Sequence, residues 1–201
     1  MTKRKFIGIV LVGIILAGCS HSDDNENPIP DLSAAPSAVT WQSVSGIQTP
    51  VDSTDGPAST DPVPHGWAHT PQGAVMAAFN AQVMMATAND QLWPQVSQHQ
   101  LAPGPGRDQW AQGRALLSVS GTVADPAVFK AFRVVEYADE KAQVVLAAEY
   151  PDVGLTLYPV QLAWSGDDWK VVLPTVDAAP DLTPVTALDD GFTTFSAKEG
   201  N

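Results

Sequence analysis

The sequence predicts an α+β domain in which N-terminal helices pack on a curved antiparallel meander of about four strands, all of it following a flexible tether. Three observations predict this. Residues 74–88 hold 12 apolar residues in 15, a length of about 22 Å as a helix, too short to span a bilayer and too apolar to lie on a wet surface. From Phe129 onward the apolar period changes from 3.6 to 2. Residues 20–65 are rich in Ser, Asp, Pro and Thr, a composition that buries too little apolar surface to fold by itself.

The chain opens with Lys3, Arg4 and Lys5, followed by twelve residues, Phe6 to Ala17, made only of Phe, Ile, Val, Leu, Ala and Gly. A basic start before a short apolar run is the pattern of a secretory signal peptide over residues 1–18. Its end, Leu16, Ala17, Gly18 and Cys19, resembles the bacterial lipobox, in which the cysteine thiol is lipidated and the cysteine becomes the new N-terminus. Cys19 is the only cysteine in the chain. With that thiol taken up by lipid, no disulfide is expected, and an ordinary core must hold the domain. Removing residues 1–18 takes away three basic and no acidic residues and leaves 7 basic against 22 acidic side chains, a net charge of −15. That balance opposes direct contact with nucleic acid or anionic head groups, both of which need clustered Lys and Arg.

Residues 19–65 are predicted as a lipidated tether with a docking segment near 41–50, where Trp41, Val44 and Ile47 alternate with polar residues. A tryptophan here has reason to dock, either on its own domain or on a partner. The domain is predicted over 66–201. Thr70 is a helix N-cap and Pro71 suits the first helical position, where its missing N–H costs nothing. Asn89 and Asp90 turn the chain into a short helical piece, and the Pro-Gly-Pro-Gly of 103–106 stops it. Arg107 to Leu117 forms a further helix, weakened by Gly113 at about 1 kcal/mol relative to Ala.

Four strands follow, at 129–138, 141–150, 155–164 and 169–173. The short links Asp139-Glu140, Pro151 to Gly154 and Ser165 to Asp168 make neighbours antiparallel. Val144, Leu146, Ala148 and Tyr150 face one way on the second strand, so one face is the core face. Pro159 implies an edge position or a bulge in the third strand, because it removes a ladder donor. The tail from 175 is irregular, with a last short strand at 191–195. The predicted core is Trp67, Val75, Phe79, Val83, Trp110, Phe132, Trp164 and Trp169.

Chemical motifs are sparse. His65 and His69 have the four-residue spacing of a zinc-protease helix, but Gly66 stands where that motif needs its glutamate, and the pair precedes the helix. Asp23, Asn25 and Asn27 begin like a calcium loop, yet Pro28 occupies the glycine position and Ala34 the position of the bidentate glutamate. No metal site is therefore predicted. Nucleophile elbow, phosphate loop and dinucleotide fingerprint are all missing, so no cofactor is expected. Glu136, Glu149 and Tyr150 are the sheet groups that acid–base work would need pointing inward. Rim or surface positions suit them better. Asp167 and Asp168 look like a carboxylate pair but sit in hairpin-turn chemistry. Met76, Met84 and Met85 have the spacing of core-filling residues. No catalytic residue is assigned.

Helices followed by a curled meander is the element order of the cystatin-like and NTF2-like cone, which also underlies the periplasmic domains of VirB8-type secretion proteins. Fold order alone does not assign function. Several phrases carry a closer likeness: WQSVSG, GWAHTPQGAVMAAFNAQ, PGPGRDQW, FKAFRVVEY, AWSGDDWKVVLP and LDDGF. Over residues 41–195 they resemble a family of actinobacterial exported proteins found in conjugative and integrative elements, with Trp67 in place of the usual Phe. The resemblance implies a non-enzymatic, accessory or structural part in a type IV secretion-like DNA-transfer apparatus, at the extracytoplasmic face of the cell membrane. The lipid on Cys19 would anchor the protein, and other proteins of the complex would be its partners. The alternative is a lipoprotein that holds a small ligand, or acts as an isomerase, in the mouth of the cone.

Overall fold

The structure is a computed structural model and describes residues 29–180 and 182–195. Leu16, Ala17, Gly18 and Cys19 lie outside the described residues, as do Asp23, Asn25 and Asn27 of the calcium-like run. The elements in chain order are β1 (Thr40–Val44), β2 (Ile47–Asp52), α1 (Pro71–Thr87), α2 (Trp93–His99), α3 (Pro105–Arg114), β3 (Val128–Ala138), β4 (Lys141–Tyr150), β5 (Gly154–Trp164), β6 (Trp169–Val172), β7 (Thr183–Pro184) and β8 (Thr193–Thr194).

This corrects the predicted fold class. The described chain is mostly sheet, with one six-stranded antiparallel sheet of order β6-β5-β4-β3-β8 plus β7 on β5, and a separate two-stranded sheet, β1-β2. The three helices have 17, 7 and 10 residues and form no N-terminal bundle. A hairpin precedes them, and the sheet has more than four strands, so the four-stranded cone is not the architecture. The physical reason lies in the two Pro-rich segments. Each holds a few apolar side chains, and the apolar surfaces already present capture them.

The hairpin shows this plainly. Ser45 and Gly46 both have positive φ, 49° and 95°, the two-residue turn whose twist matches that of antiparallel strands. A Cβ on Gly46 would come within 3.1 Å of the Val123 carbonyl oxygen, and the Val123 N–H donates to Ser45 O at 2.8 Å. Trp41 packs edge-on against Phe79 and Phe195 at 5.9 and 6.0 Å between ring centroids. Ile47 is buried with Phe79 and Val83. The segment near 41–50 thus docks on its own domain, and the folded unit extends well upstream of Gly66.

Helix α1 lies between the two sheets. Thr70 caps it, accepting from the Gly73 N–H at 2.9 Å while its hydroxyl donates to Asp55 Oδ1. Pro71 fills the first turn. Ala74, Val75, Ala78 and Ala81 belong to the cluster that includes Phe132, Val144, Leu146, Val160 and Leu162 of the large sheet. Phe79 and Val83 meet the hairpin. Asn80, a polar residue in this apolar run, is 1 % exposed and donates to Pro50 O of β2 at 2.9 Å and to Met76 O at 3.0 Å. An apolar surface almost all the way round is what a helix covered on two sides requires. Gly73 is needed for space: a Cβ there would sit 2.0 Å from Ala68 O, which outweighs the roughly 1 kcal/mol that Ala gains in a helix.

Pro159 explains an irregularity of the large sheet. On β5 the Val185 N–H donates to Leu155 O, the Ser165 N–H to Asp168 O, and the Trp164 N–H to Glu140 O. Odd-numbered residues therefore direct their backbone groups to the outer edge and even-numbered ones to β4, and the β4 register is unbroken. The missing N–H of Pro159 would have pointed to that outer edge. There β6 pairs with residues 161–164 and β7 with 156–157, so residues 158–160 have no strand partner. Pro159 is not on an edge strand; it sits opposite a break in one.

Candidate functional site

Among the described residues no three His, Cys, Asp or Glu side chains lie close enough to hold a metal ion. His65 and His69 diverge. His65 Nδ1 lies 2.7 Å from Val63 O, and its ring sits 4.6 Å from that of His99. His69 stacks on Trp164, 4.0 Å between centroids and 15° from parallel, and its Nε2 bonds to Asp139 O. Burial first, then the neighbouring His65 and the Lys170 ammonium, holds His99 below the usual imidazole range.

The loop carrying these histidines is pinned by one carboxylate. Asp168 is 6 % exposed. It accepts three backbone hydrogen bonds, from Gly66 at 2.8 Å, Trp67 at 2.8 Å and Trp169 at 2.9 Å. Around it, the Trp169 indole donates to Ala68 O at 3.1 Å and the Tyr137 hydroxyl to His69 O at 3.0 Å. Two phrases about a hundred residues apart, GWAHTP and SGDDW, meet here and orient the start of α1. Sequence reasoning assigned Asp168 to turn chemistry and missed this role. Its signal was the recurrence of tryptophans beside both phrases, without any spacing rule to join them.

Trp67, Val75, Phe79, Val83, Phe132 and Trp169 are all at most 3 % exposed, whereas Trp110 and Trp164 are half-buried. Trp110 meets Trp93 edge-on at 6.2 Å. Of the sheet groups considered for acid–base work, the two carboxylates face outward, Glu136 pairing with Lys141 and Glu149 with Lys130 at 3.1 Å, whereas Tyr150 packs against the core. Burial raises Tyr150 above its ordinary value, and Tyr158 beside it further. Arg114, nearly enclosed, ties loops together by donating to Ala88 O, Leu117 O and Asp90.

Among the clefts of this framework, two border α1. One, of about 590 Å³, lies between the N-terminal strap, α1 and the chain's last strand, with Ala38, Trp41, Pro50, Met76 and Phe195 in its wall. The other, of about 430 Å³, lies at the break beside Pro159. It is walled by Gln82 of α1, Gln143 and Gln161 of the sheet, Val172, and the excursion through Pro180 and Leu182. Gly106 and Gln109 of α3 hold that excursion away from the ladder. A Cβ on Gly106 would meet Leu173 O at 2.0 Å, and Gln109 accepts from the Val176 N–H at 2.9 Å.

Fold and site together define a two-sheet domain built round a buried helix, with a pinned loop and two clefts whose walls carry no charged side chain among the described residues. The chain belongs to a family described as a domain of unknown function (DUF8175), whose model matches residues 17–194. No curated protein matches the chain, and no solved structure does.

Proposed function

We propose that this protein is a lipid-anchored accessory component of a conjugative, type IV secretion-like transfer apparatus, held at the extracytoplasmic face of the cell membrane and acting by binding other proteins. The observation that carries the reading is Leu16-Ala17-Gly18-Cys19 behind an apolar run of twelve residues. It implies export and a thiol-linked lipid, while a net charge of −15 after cleavage leaves protein surfaces as the natural partners. The phrases resembling exported proteins of conjugative elements support the particular apparatus. No helix among the described residues is long and apolar enough to cross a membrane, so a lipid would be the attachment on this reading.

The alternative, a ligand-holding or isomerase site, needs a deep pocket with an inward carboxylate or imidazole. Phe79 and Val83 are buried between the helix and the hairpin, and Glu136 and Glu149 form outward ion pairs, which weighs against it. Two measurements test the proposal. Metabolic labelling with a palmitate analogue should mark the wild type and not Cys19→Ser. Affinity purification from cells carrying the element should recover transfer-channel proteins; recovery of the bait alone sinks the functional reading.

A further inference from the structure

Spacing along the chain pairs His65 with His69, but the fold pairs His65 with His99. The two rings lie 4.6 Å apart between centroids and tilt 37° from parallel, and both residues are half-buried. His65 Nδ1 sits 2.7 Å from Val63 O. A carbonyl oxygen only accepts, so Nδ1 carries the proton and Nε2 keeps its lone pair. Metal-binding imidazoles are commonly fixed in this way, by a backbone carbonyl on the nitrogen that does not bind. Neither His65 Nε2 nor either ring nitrogen of His99 has a hydrogen-bond partner among the described residues. The same crossing of the loop with the end of α2 holds Gln100, 3 % exposed, whose amide donates to Pro64 O at 2.7 Å. Its Oε1 is buried and meets no donor among the described residues.

We propose that His65 and His99 together bind one divalent transition-metal ion, copper(II) in preference to others, with water completing its coordination. Two imidazoles that hold an ion at a right angle, each by a metal–nitrogen bond of about 2.1 Å, place their centroids about 4.5 Å apart, whereas a tetrahedral angle needs about 5.2 Å. The observed spacing suits the right angle. Tetragonal sites of nitrogen and oxygen select copper(II) or nickel(II) over zinc, and copper(II) binds the more tightly of the two. A water on the ion supplies the donor that Gln100 Oε1 lacks. The charged groups beside His99 do not repel the ion on balance. Asp168, whose carboxylate accepts from three backbone N–H groups, and Lys170, held on Gln98 O at 3.0 Å, act on that ring with opposite sign. At longer range, a net charge of −12 over the whole sequence draws cations. The ion joins the loop pinned by Asp168 to the end of α2, and the site does not depend on a lipid at Cys19.

The test titrates the full exported chain with copper(II) chloride and counts the imidazoles on the ion by pulsed EPR. His21, which lies outside the described residues, is a further histidine that could take copper, so every protein in the test carries His21→Ala. Saturation at one equivalent, with two imidazoles on the ion, is the expected result for this parent. His65→Ala and His99→Ala should each weaken binding at least tenfold and leave at most one imidazole on the ion, whereas His69→Ala should change neither. Excess nickel(II) should raise the Tm of the parent, because it binds the folded state, and leave that of His65→Ala unmoved. NMR of the parent needs no further variant: substoichiometric copper(II) should broaden the amide signals of His65, His99 and Gln100 before all others. Copper held by one imidazole or none in the parent, equal affinity in His65→Ala or His99→Ala, or broadening centred on His69 overturns the proposal.

Discussion

Asp168 joins two segments of the chain that lie about a hundred residues apart. Its carboxylate collects three backbone N–H groups from two distant segments, and two of those donors are buried. Hydrogen bonds to a charged acceptor are worth more than neutral ones, and orphaned buried donors carry a desolvation penalty. Asp168→Ala should therefore lower stability by about 3 kcal/mol in urea unfolding. Asp168→Asn should fall between, because it keeps one acceptor oxygen but turns an N–H₂ toward a donor. A loss below about 1 kcal/mol for the alanine variant would mean the loop is held by its tryptophans alone. Asp167, next to it, is exposed with φ of 61° and shapes the turn. Adjacent identical residues thus have different work, and only their environments tell them apart.

Helix α1 organises the rest because both its faces are used. Phe79 is fully buried between layers, touching Trp41 of the hairpin, Phe129 of β3 and Phe195 after β8, with centroids 5.9, 4.1 and 5.1 Å away. Phe79→Ala should cost about 3 to 5 kcal/mol in equilibrium unfolding, since the hairpin cannot collapse into the space without losing its own register. A cost under about 1 kcal/mol would place the core elsewhere. The helix was legible from its cap and its proline, which act within one turn of the chain, and from its apolar run. The strands from β3 to β6 were legible from alternation, with Val144, Leu146 and Ala148 on one side. The hairpin was hidden, because Trp41, Val44 and Ile47 are too few to announce a strand pair until Phe79 lies beneath them.

For the molecule as a whole, the packed hairpin shortens its reach. The chain from Cys19 to Ile29 spans at most about 35 Å fully extended, far less than a tether running to residue 65 would allow. On the proposed lipid anchoring, that length would keep the domain close to the membrane surface. Acid should loosen it in a definite window. His99 sits below its ordinary value of about 6.5, so the unfolded chain takes up that proton first as the pH falls. The contribution is present above about pH 6.5 and is lost as the pH drops toward the folded-state value. His65 and Lys170, beside it, oppose the added charge, and Asp168 offsets them in part. Between pH 7 and 5.5 the wild-type Tm should fall further than that of His99→Gln; parallel curves would remove the imidazole as the cause. Asp90 acts in a separate, lower range, because its hydrogen bond from Ser118 holds its carboxyl below the usual value. Its stabilisation is lost only as the pH falls past that of an ordinary carboxylate.

Local chemistry was decided within the sequence: the cap at Thr70, the two-residue period from Phe129, the links at Asp139 and Ser165, and the donor that Pro159 cannot supply. Each depends on neighbours a few positions away, where backbone geometry translates directly into pattern. Partnership was decided by the tertiary structure. It brought Asp168 to Gly66, folded the hairpin over Phe79, drew β7 and β8 onto the edges of a larger sheet, and turned the missing donor of Pro159 into an open cleft. These contacts join segments whose separation carries no period. They form because burying a few apolar groups, and satisfying the backbone groups beside them, becomes favourable only once both surfaces are in place.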